Sequence, residues 1–235
     1  MNSKTPMLYL RSLLFLIIFY LSVFIFTLLA LFLAWLPTKA CDYFLSLWPK
    51  WVTGLAKHLC GIQYTIEGLS TLPPPPFILA SNHQSTWETL AFFTLFRAPC
   101  FVLKKELLSI PLFGWVVRLL HPIALDRNKK MNAVEQLMAQ GKANLSQGKV
   151  VIIFPEGKRM PVGHYGHFHS GAAALAKAAN VPLVPLHHNA GQFWPKKGWL
   201  KYPGTIHVHI AAPILPDEST QVIQAKLKKA LTDKS

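Results

Sequence analysis

From Ser12 to Leu36 the chain carries no charged residue. A helix of that length, rising about 1.5 Å per residue, would reach roughly 37 Å, more than the roughly 30 Å of hydrocarbon in a bilayer. The segment is therefore long enough to span or embed in a membrane. The rest of the chain does not share this bias. Of 235 residues, 51% are hydrophobic and 14% charged, enough for one full core with an apolar surplus, and the surplus is concentrated near the start. A secretory signal peptide is the competing reading, because Lys4 and Arg11 offer a positive end. Its apolar region should span only about 7 to 15 residues and close on a small-x-small site. This run is longer and ends in Trp35-Leu36-Pro37, so a retained anchor is expected.

A second apolar segment, Cys41 to Leu59, is interrupted by Pro49 and carries Trp48, Trp51, Lys50, Lys57 and His58. Aromatic and basic residues together suit the headgroup layer. Residues 1–60 are read as an anchor of two helices, the first deep and the second interfacial; the alternative is a core helix packed on the enzyme. The net charge is +14, so the surface attracts anions. Basic protein beside a bilayer points to anionic headgroups. No arginine-rich helix, zinc-finger spacing or aromatic RNA-binding signature argues for nucleic acid. Cys41, Cys60 and Cys100 are odd in number and lack C-x-x-C spacing, which fits a reducing compartment and small apolar fillers.

Beyond Gly61 the pattern changes to alternating short strands and helices. Strands are expected at Ile62–Glu67, Phe77–Ala80, Phe101–Leu103, Pro122–Leu125, Val150–Phe154, Leu183–Leu186 and Thr205–Ala211. Helices are expected at Trp87–Phe96, Pro111–Leu119, along the Met131 to Leu145 stripe, at Gly171–Ala179 and from Glu218 onward. Such alternation implies an α/β fold with a mixed, mostly covered β-sheet flanked by helices. With no internal repeat, one catalytic domain at 61–235 follows the anchor.

Two strand ends carry the chemistry. The strand Phe77–Ala80 runs into Ser81-Asn82-His83-Gln84-Ser85-Thr86-Trp87-Glu88, and loops leaving buried strands are where α/β proteins place reactive groups. An imidazole titrates near neutrality, so His83 is the natural general base for a hydroxyl nucleophile. Glu88 is the carboxylate that can hold its tautomer. On one helix, residues five apart differ by about 140° in direction, so His83 must lie in the loop with Glu88 on the first turn of the next helix. Ser85-x-x-Glu88 has the form of a capping box, and that is also the bland alternative: Glu88 bonded to the Ser85 amide and His83 an ordinary loop residue. The strand Val150–Phe154 ends in Pro155-Glu156-Gly157-Lys158-Arg159. Arg159 offers a planar fork matched to phosphate, Lys158 a general field, and Gly157 permits close backbone approach. A plain turn with solvated charges is the alternative there.

His83 to Glu88 resembles the NHx4D motif, and Phe154 to Arg159 the FPEGTR motif, of the glycerolipid acyltransferases, which include the bacterial 1-acylglycerol-3-phosphate acyltransferases. Lys104-Lys105-Glu106-Leu107 through Ile110–Gly114 to Ala124–Arg127 resembles the family's middle block, and Val181–Leu186 its fourth. Four ordered blocks over roughly residues 60–215 make a strong signal. The resemblance implies that His83 is the catalytic base and Glu88 its acidic partner. Lys104, Arg127 and Arg159, with Glu156 and Gly157 shaping the site, become candidates for the acceptor phosphate. It implies transfer of a fatty-acyl group from acyl-CoA or acyl carrier protein to the free sn-2 hydroxyl of lysophosphatidic acid, giving phosphatidic acid, with no metal or other cofactor. It also implies a helical pair seated among membrane lipids in one leaflet, at a bacterial inner membrane with the catalytic domain on the cytoplasmic side. Two positions depart from the pattern. Glu88 stands where the motif has aspartate, and Phe168-His169-Ser170-Gly171 stands where many relatives carry a basic pair before the glycine.

Several readings compete with this one. The acceptor could be another lysolipid. A serine hydrolase would need a G-x-S-x-G elbow, which does not occur. His164, His167, His169, His187, His188, His207 and His209 would be the raw material of a metal site, without companion cysteines or a clear carboxylate. A non-catalytic lipid-binding protein would have no use for the intact base and acid pair.

Overall fold

The computed structural model describes residues 4–33, 38–96, 99–126 and 133–233. Helices α1 (Lys4–Phe32) and α2 (Thr38–Cys60) come first. They are followed by β1 (Ile62–Glu67), β2 (Phe77–Ser81), α3 (Trp87–Leu95), β3 (Pro99–Lys104), α4 (Phe113–Leu119) and β4 (Ile123–Leu125). The chain continues through α5 (Ala133–Ser146), β5 (Val150–Ile153), α6 (Gly171–Ala179), β6 (Leu183–His188), β7 (Gly204–Ile210) and α7 (Thr220–Thr232).

The strands form one seven-stranded sheet in the order β1-β7-β6-β2-β5-β3-β4. From β6 to β4 neighbouring strands are parallel; β7 then runs antiparallel to β6, and β1 parallel to β7. The sheet is thus mixed, as the alternation of elements implies. Five parallel strands place the loops after β2, β3, β4, β5 and β6 on a single edge, where α/β proteins bind ligands.

Both faces are covered. Side chains alternate along a strand, so Phe77 and Leu79 of β2 face one core while Ile78 and Ala80 face the other. Val150 and Ile152 of β5 split from Val151 and Ile153 in the same way. Helices α2 and α3 close the first core, and α5, α6 and α7 the second. Every residue of β2 is buried, which explains why its sequence is apolar without alternation.

The structure revises several boundaries. Pro49 does not interrupt the second helix, since α2 runs through it. A proline inside a helix costs about 3 kcal/mol, but Leu45, Pro49, Val52, Ala56 and Cys60 are all buried. Their spacing of three or four makes one stripe, and its burial offsets the lost bond. That stripe meets α3 as well as α1, so the first core continues across residue 60. The helix expected from Pro111 starts at Phe113, preceded by a 3-10 turn over Lys105–Ser109. Strand β6 continues past Leu186 to His188, and β5 stops at Ile153.

Helix α1 is long and apolar enough to cross a membrane, with mean hydropathy 2.8 over its most apolar stretch. It is not a core helix, because Leu10, Ile17, Leu21, Phe24, Leu28 and Phe32 are among its exposed residues. One line of contact fixes it to the rest of the chain. Phe15, fully buried, meets Trp194 edge-on at 5.0 Å. Ser12 Oγ accepts the Lys201 amide at 2.9 Å. Further along, Phe26 stacks on Phe44 of α2 at 4.7 Å, in a small cluster with Val116 and Leu119 of α4. Cys60 and Cys100 are free and buried, while the side chain of Cys41 lies outside the described residues.

Truncating a buried aromatic costs about 3–5 kcal/mol. Phe15→Ala is accordingly expected to lower the melting temperature of the detergent-solubilised protein, whereas Ile17→Ala, on the exposed face, leaves it nearly unchanged.

Candidate active site

Strand β2 ends at Ser81, and the chain makes an irregular turn before α3 begins at Trp87. His83 lies in that turn and Glu88 in the first turn of α3, as their spacing requires. The His83 Nδ1 and Glu88 Oε1 atoms are 2.8 Å apart. The same Oε1 accepts the amides of Gln84 at 2.9 Å and Ser85 at 2.7 Å. The capping bond and the catalytic-type contact therefore coexist on one oxygen, and the two sequence alternatives are not exclusive. Ser85 Oγ accepts the Trp87 amide at 3.0 Å.

Glu88 is fully buried. Burial pushes its carboxyl up, but His188, His83 and the Ser85 amide more than offset this, and the group is held below the usual carboxylate range. It is an anion at neutral pH. That charge favours the His83 tautomer with hydrogen on Nδ1 and leaves the Nε2 lone pair for a substrate proton. The His83 side chain is 16% exposed, so the ring is reachable but sheltered. Phe154 stacks on it with centroids 4.0 Å apart and planes 16° from parallel.

The turn after β5 is stitched to His83 itself. Glu156, also buried, accepts the His83 amide through Oε1 at 3.4 Å and the Gly166 amide through Oε2 at 2.8 Å. Burial raises its carboxyl above the usual range, only partly countered by those two amides. The Met160 amide in turn donates to the His83 carbonyl at 2.7 Å. Arg159, half-buried, is thus one residue from a direct bond to the backbone of the histidine. Gly157 closes the turn onto the Phe154 carbonyl at 3.0 Å with φ at 65°, a left-handed conformation that favours glycine. Lys158 is exposed.

Lys104 is exposed at the end of β3, the neighbour of β5, and so stands on the same sheet edge. Next to it Lys105 pairs with Asp126 at 3.0 Å. Arg127 lies outside the described residues. Among the described residues no three His, Cys, Asp or Glu side chains group as metal ligands. His207 meets Thr65 Oγ1 at 3.0 Å, and His209 meets Glu67 at 3.7 Å.

Residues 63–189 match the acyltransferase family profile, a span that takes in both His83–Glu88 and Phe154–Arg159. The chain is also 45% identical over 202 residues to a 1-acyl-sn-glycerol-3-phosphate acyltransferase of Pseudomonas aeruginosa, covering 85% of this chain and 79% of that protein. The chain belongs to the acyltransferase family. The yeast 1-acyl-sn-glycerol-3-phosphate acyltransferase is 30% identical over 183 residues, covering 73% of this acyltransferase and 60% of its own length. The crystal structure of the 1-acyl-sn-glycerophosphate acyltransferase from Thermotoga maritima shares the fold, with a TM-score of 0.74, 22% identity and 99% coverage of both chains.

Two residues of this acyltransferase's site escaped the sequence reading. Asn82 Nδ2 donates to the His188 carbonyl at 2.8 Å, and Asn82 Oδ1 accepts the His188 amide at 3.0 Å. The imidazole of His188, grouped in sequence with metal candidates, is fully buried, with Nε2 4.0 Å from Glu88 Oε2. For Asn82 the available signal was its place as the asparagine before His83 in the NHx4D-like motif; for His188 there was none, because the pairing of β6 with β2 that brings it to this edge is tertiary.

Glu88→Gln keeps the shape and removes the charge. By analogy with amide replacement of a buried triad carboxylate, kcat should fall by on the order of 1,000-fold or more. Because the folded-state affinity of Glu88 for a proton is lowered, its charge stabilises the fold above the usual carboxylate range, and that contribution is lost as pH falls through the lowered value. Melting temperature measured from neutral to acid pH should fall less steeply in Glu88→Gln than in the native protein.

Proposed function

We propose that this acyltransferase moves a fatty-acyl group from an acyl thioester, on CoA or acyl carrier protein, to the sn-2 hydroxyl of 1-acylglycerol-3-phosphate, giving phosphatidic acid. The single observation that carries the proposal is the 2.8 Å contact between His83 and an ionised, buried Glu88, one stitched turn away from Arg159. The names of the relatives at 45% and 30% identity point the same way.

His83 Nε2 takes the acceptor's hydroxyl proton as the oxygen attacks the thioester carbonyl. Glu88 stabilises the imidazolium that forms. The tetrahedral intermediate then collapses, the C–S bond breaks, and the departing sulfur receives the proton from His83. Arg159 and Lys104, with Arg127, bind the acceptor phosphate, and Glu156 and Gly157 set the turn that presents it. Fixing the phosphate holds the hydroxyl within reach of the base, which is the positioning contribution to the rate. The reaction as written calls on no metal or other cofactor.

The lysolipid is delivered from a membrane. Residues 1–60 form the anchor, with the exposed apolar face of α1 seated in lipid and the chain's net charge of +14 drawn to anionic headgroups. We place the catalytic domain on the cytoplasmic side of a bacterial inner membrane, where acyl-CoA and acyl carrier protein are available.

A panel of lysolipid acceptors assayed with acyl-CoA and acyl carrier protein, read by thiol release and by lipid product, tests the reaction. His83→Ala should retain its fold and lose about 10²–10⁴-fold in kcat; near-normal turnover would refute the assignment. Arg159→Ala should raise KM for lysophosphatidic acid about 10- to 100-fold, the worth of one charged hydrogen bond, with a smaller effect on the acyl-donor KM.

A further inference from the structure

The carboxylate of Glu88 is loaded unevenly. Oε1 takes the His83 ring and two amides, whereas Oε2, equally buried, has no hydrogen-bond partner among the described residues. A buried polar atom in that state costs about 1–3 kcal/mol, more if charged. What faces Oε2 is the Nε2 atom of His188, at 4.0 Å.

The geometry of His188 fixes its tautomer. Its Nδ1 accepts the Ala190 amide at 3.2 Å, so the ring hydrogen sits on Nε2, 3.1 Å from the Asn82 carbonyl. Asn82 holds the backbone of His188 by two further bonds, and Trp87 and Phe92 pack at 6.3 Å from its ring. Both nitrogens are thus committed, and the ring has no room to rotate. Burial first, and then nearby His83, lower its affinity for a proton, only partly offset by Glu88 and Asn82, which favours the neutral ring. Strand β6 could end on this edge without an imidazole, and no step of the proposed reaction uses the ring.

We propose that His188 is a positioning residue for acyl transfer: its Nε2–H, held on the Asn82 carbonyl at 3.1 Å, places the positive end of its dipole 4.0 Å from Glu88 Oε2 and keeps the carboxylate turned so that Oε1 faces His83. The inference rests on the His83–Glu88 reading above and deepens it. The other titratable groups around the trio are Glu156, 3.4 Å from the His83 amide, His187 beside His188 on β6, and His209 opposite His187 on β7. Arg159 stands next to the Met160 amide that binds the His83 carbonyl.

The sign of the effect follows from charge. When His83 is neutral, which is its active form, only hydrogen bonds and no positive charge compensate the Glu88 anion on its own side, and the donor from His188 matters most. When His83 is protonated, the imidazolium compensates it. Removing the donor therefore penalises the active form of the His83–Glu88 pair more than the inactive one.

The test compares His188→Leu with His188→Gln, whose amide nitrogen restores a donor without a titratable ring. In the leucine variant, kcat at neutral pH should fall about 10- to 100-fold, with KM for lysophosphatidic acid within about twofold. The acid limb of its kcat/KM profile, which reports the His83–Glu88 pair as a unit, should move to higher pH. The glutamine variant should recover most of the rate and return the limb toward its native place. A folded leucine variant with an unmoved acid limb, or a glutamine variant no better than leucine, overturns the proposal. Nitrogen NMR of histidine-labelled native protein needs no variant to fold. His188 should be a neutral Nε2–H tautomer at neutral pH and above, and an imidazolium or an Nδ1–H tautomer there overturns it. Failure of the underlying reading looks different: native protein that transfers no acyl group, or His83→Ala that still does, removes both.

Discussion

A carboxylate buried without solvent is the constraint around which the site is built. Removing such a charge from water costs several kcal/mol, and hydrogen bonds to charged groups return about 1.5–3 kcal/mol each. Glu88 has three of them on one oxygen. Two come from the amides of Gln84 and Ser85, so the same interaction that keeps the carboxylate charged also folds the turn that carries His83. The catalytic geometry and the local fold are one set of bonds. This is why a residue in an irregular loop can present its ring as firmly as one on a helix.

The stitching extends outward from that turn. Glu156 and Met160 bind the amide and carbonyl of His83, making the segment after β5 a wall of the site rather than a separate loop. Lys196 Nζ donates to the Arg159 carbonyl at 2.7 Å, and the same loop carries Trp194 and Lys201, which grip α1 through Phe15 and Ser12. A continuous path of packed and bonded groups thus runs from the membrane-type helix to the turn bearing Arg159. The Lys201 ammonium, 5.3 Å from the Trp194 ring, is pushed down to about 8 by burial in that junction.

Much of this architecture is legible in the residues. Periodicity places β1 and α6 at their observed bounds, because Ile62–Glu67 and Gly171–Ala179 are flanked by glycine, or by asparagine in a left-handed cap. The five-residue spacing from His83 to Glu88 forces a loop followed by a helix start, and the structure has that form. Pro49 misled, because a local breaker is weighed against burial that only packing reveals. Strand β6 extends two residues beyond the apolar run Leu183–Leu186 for a related reason: His188 is polar in sequence yet sealed inside the protein.

The sequence by itself determined the family, the strand and helix order, the apolar N-terminal run, and the His83 and Arg159 motifs. All of these are carried by local pattern and by short-range spacing. Only the tertiary structure decided which strand ends meet, that one Glu88 oxygen serves both the helix start and the imidazole, and that Asn82 and His188 stand behind it. The Asn82–His188 bonds join residues 106 positions apart through the parallel register of β2 with β6. No local pattern encodes such register, because it is set by how buried strands choose neighbours.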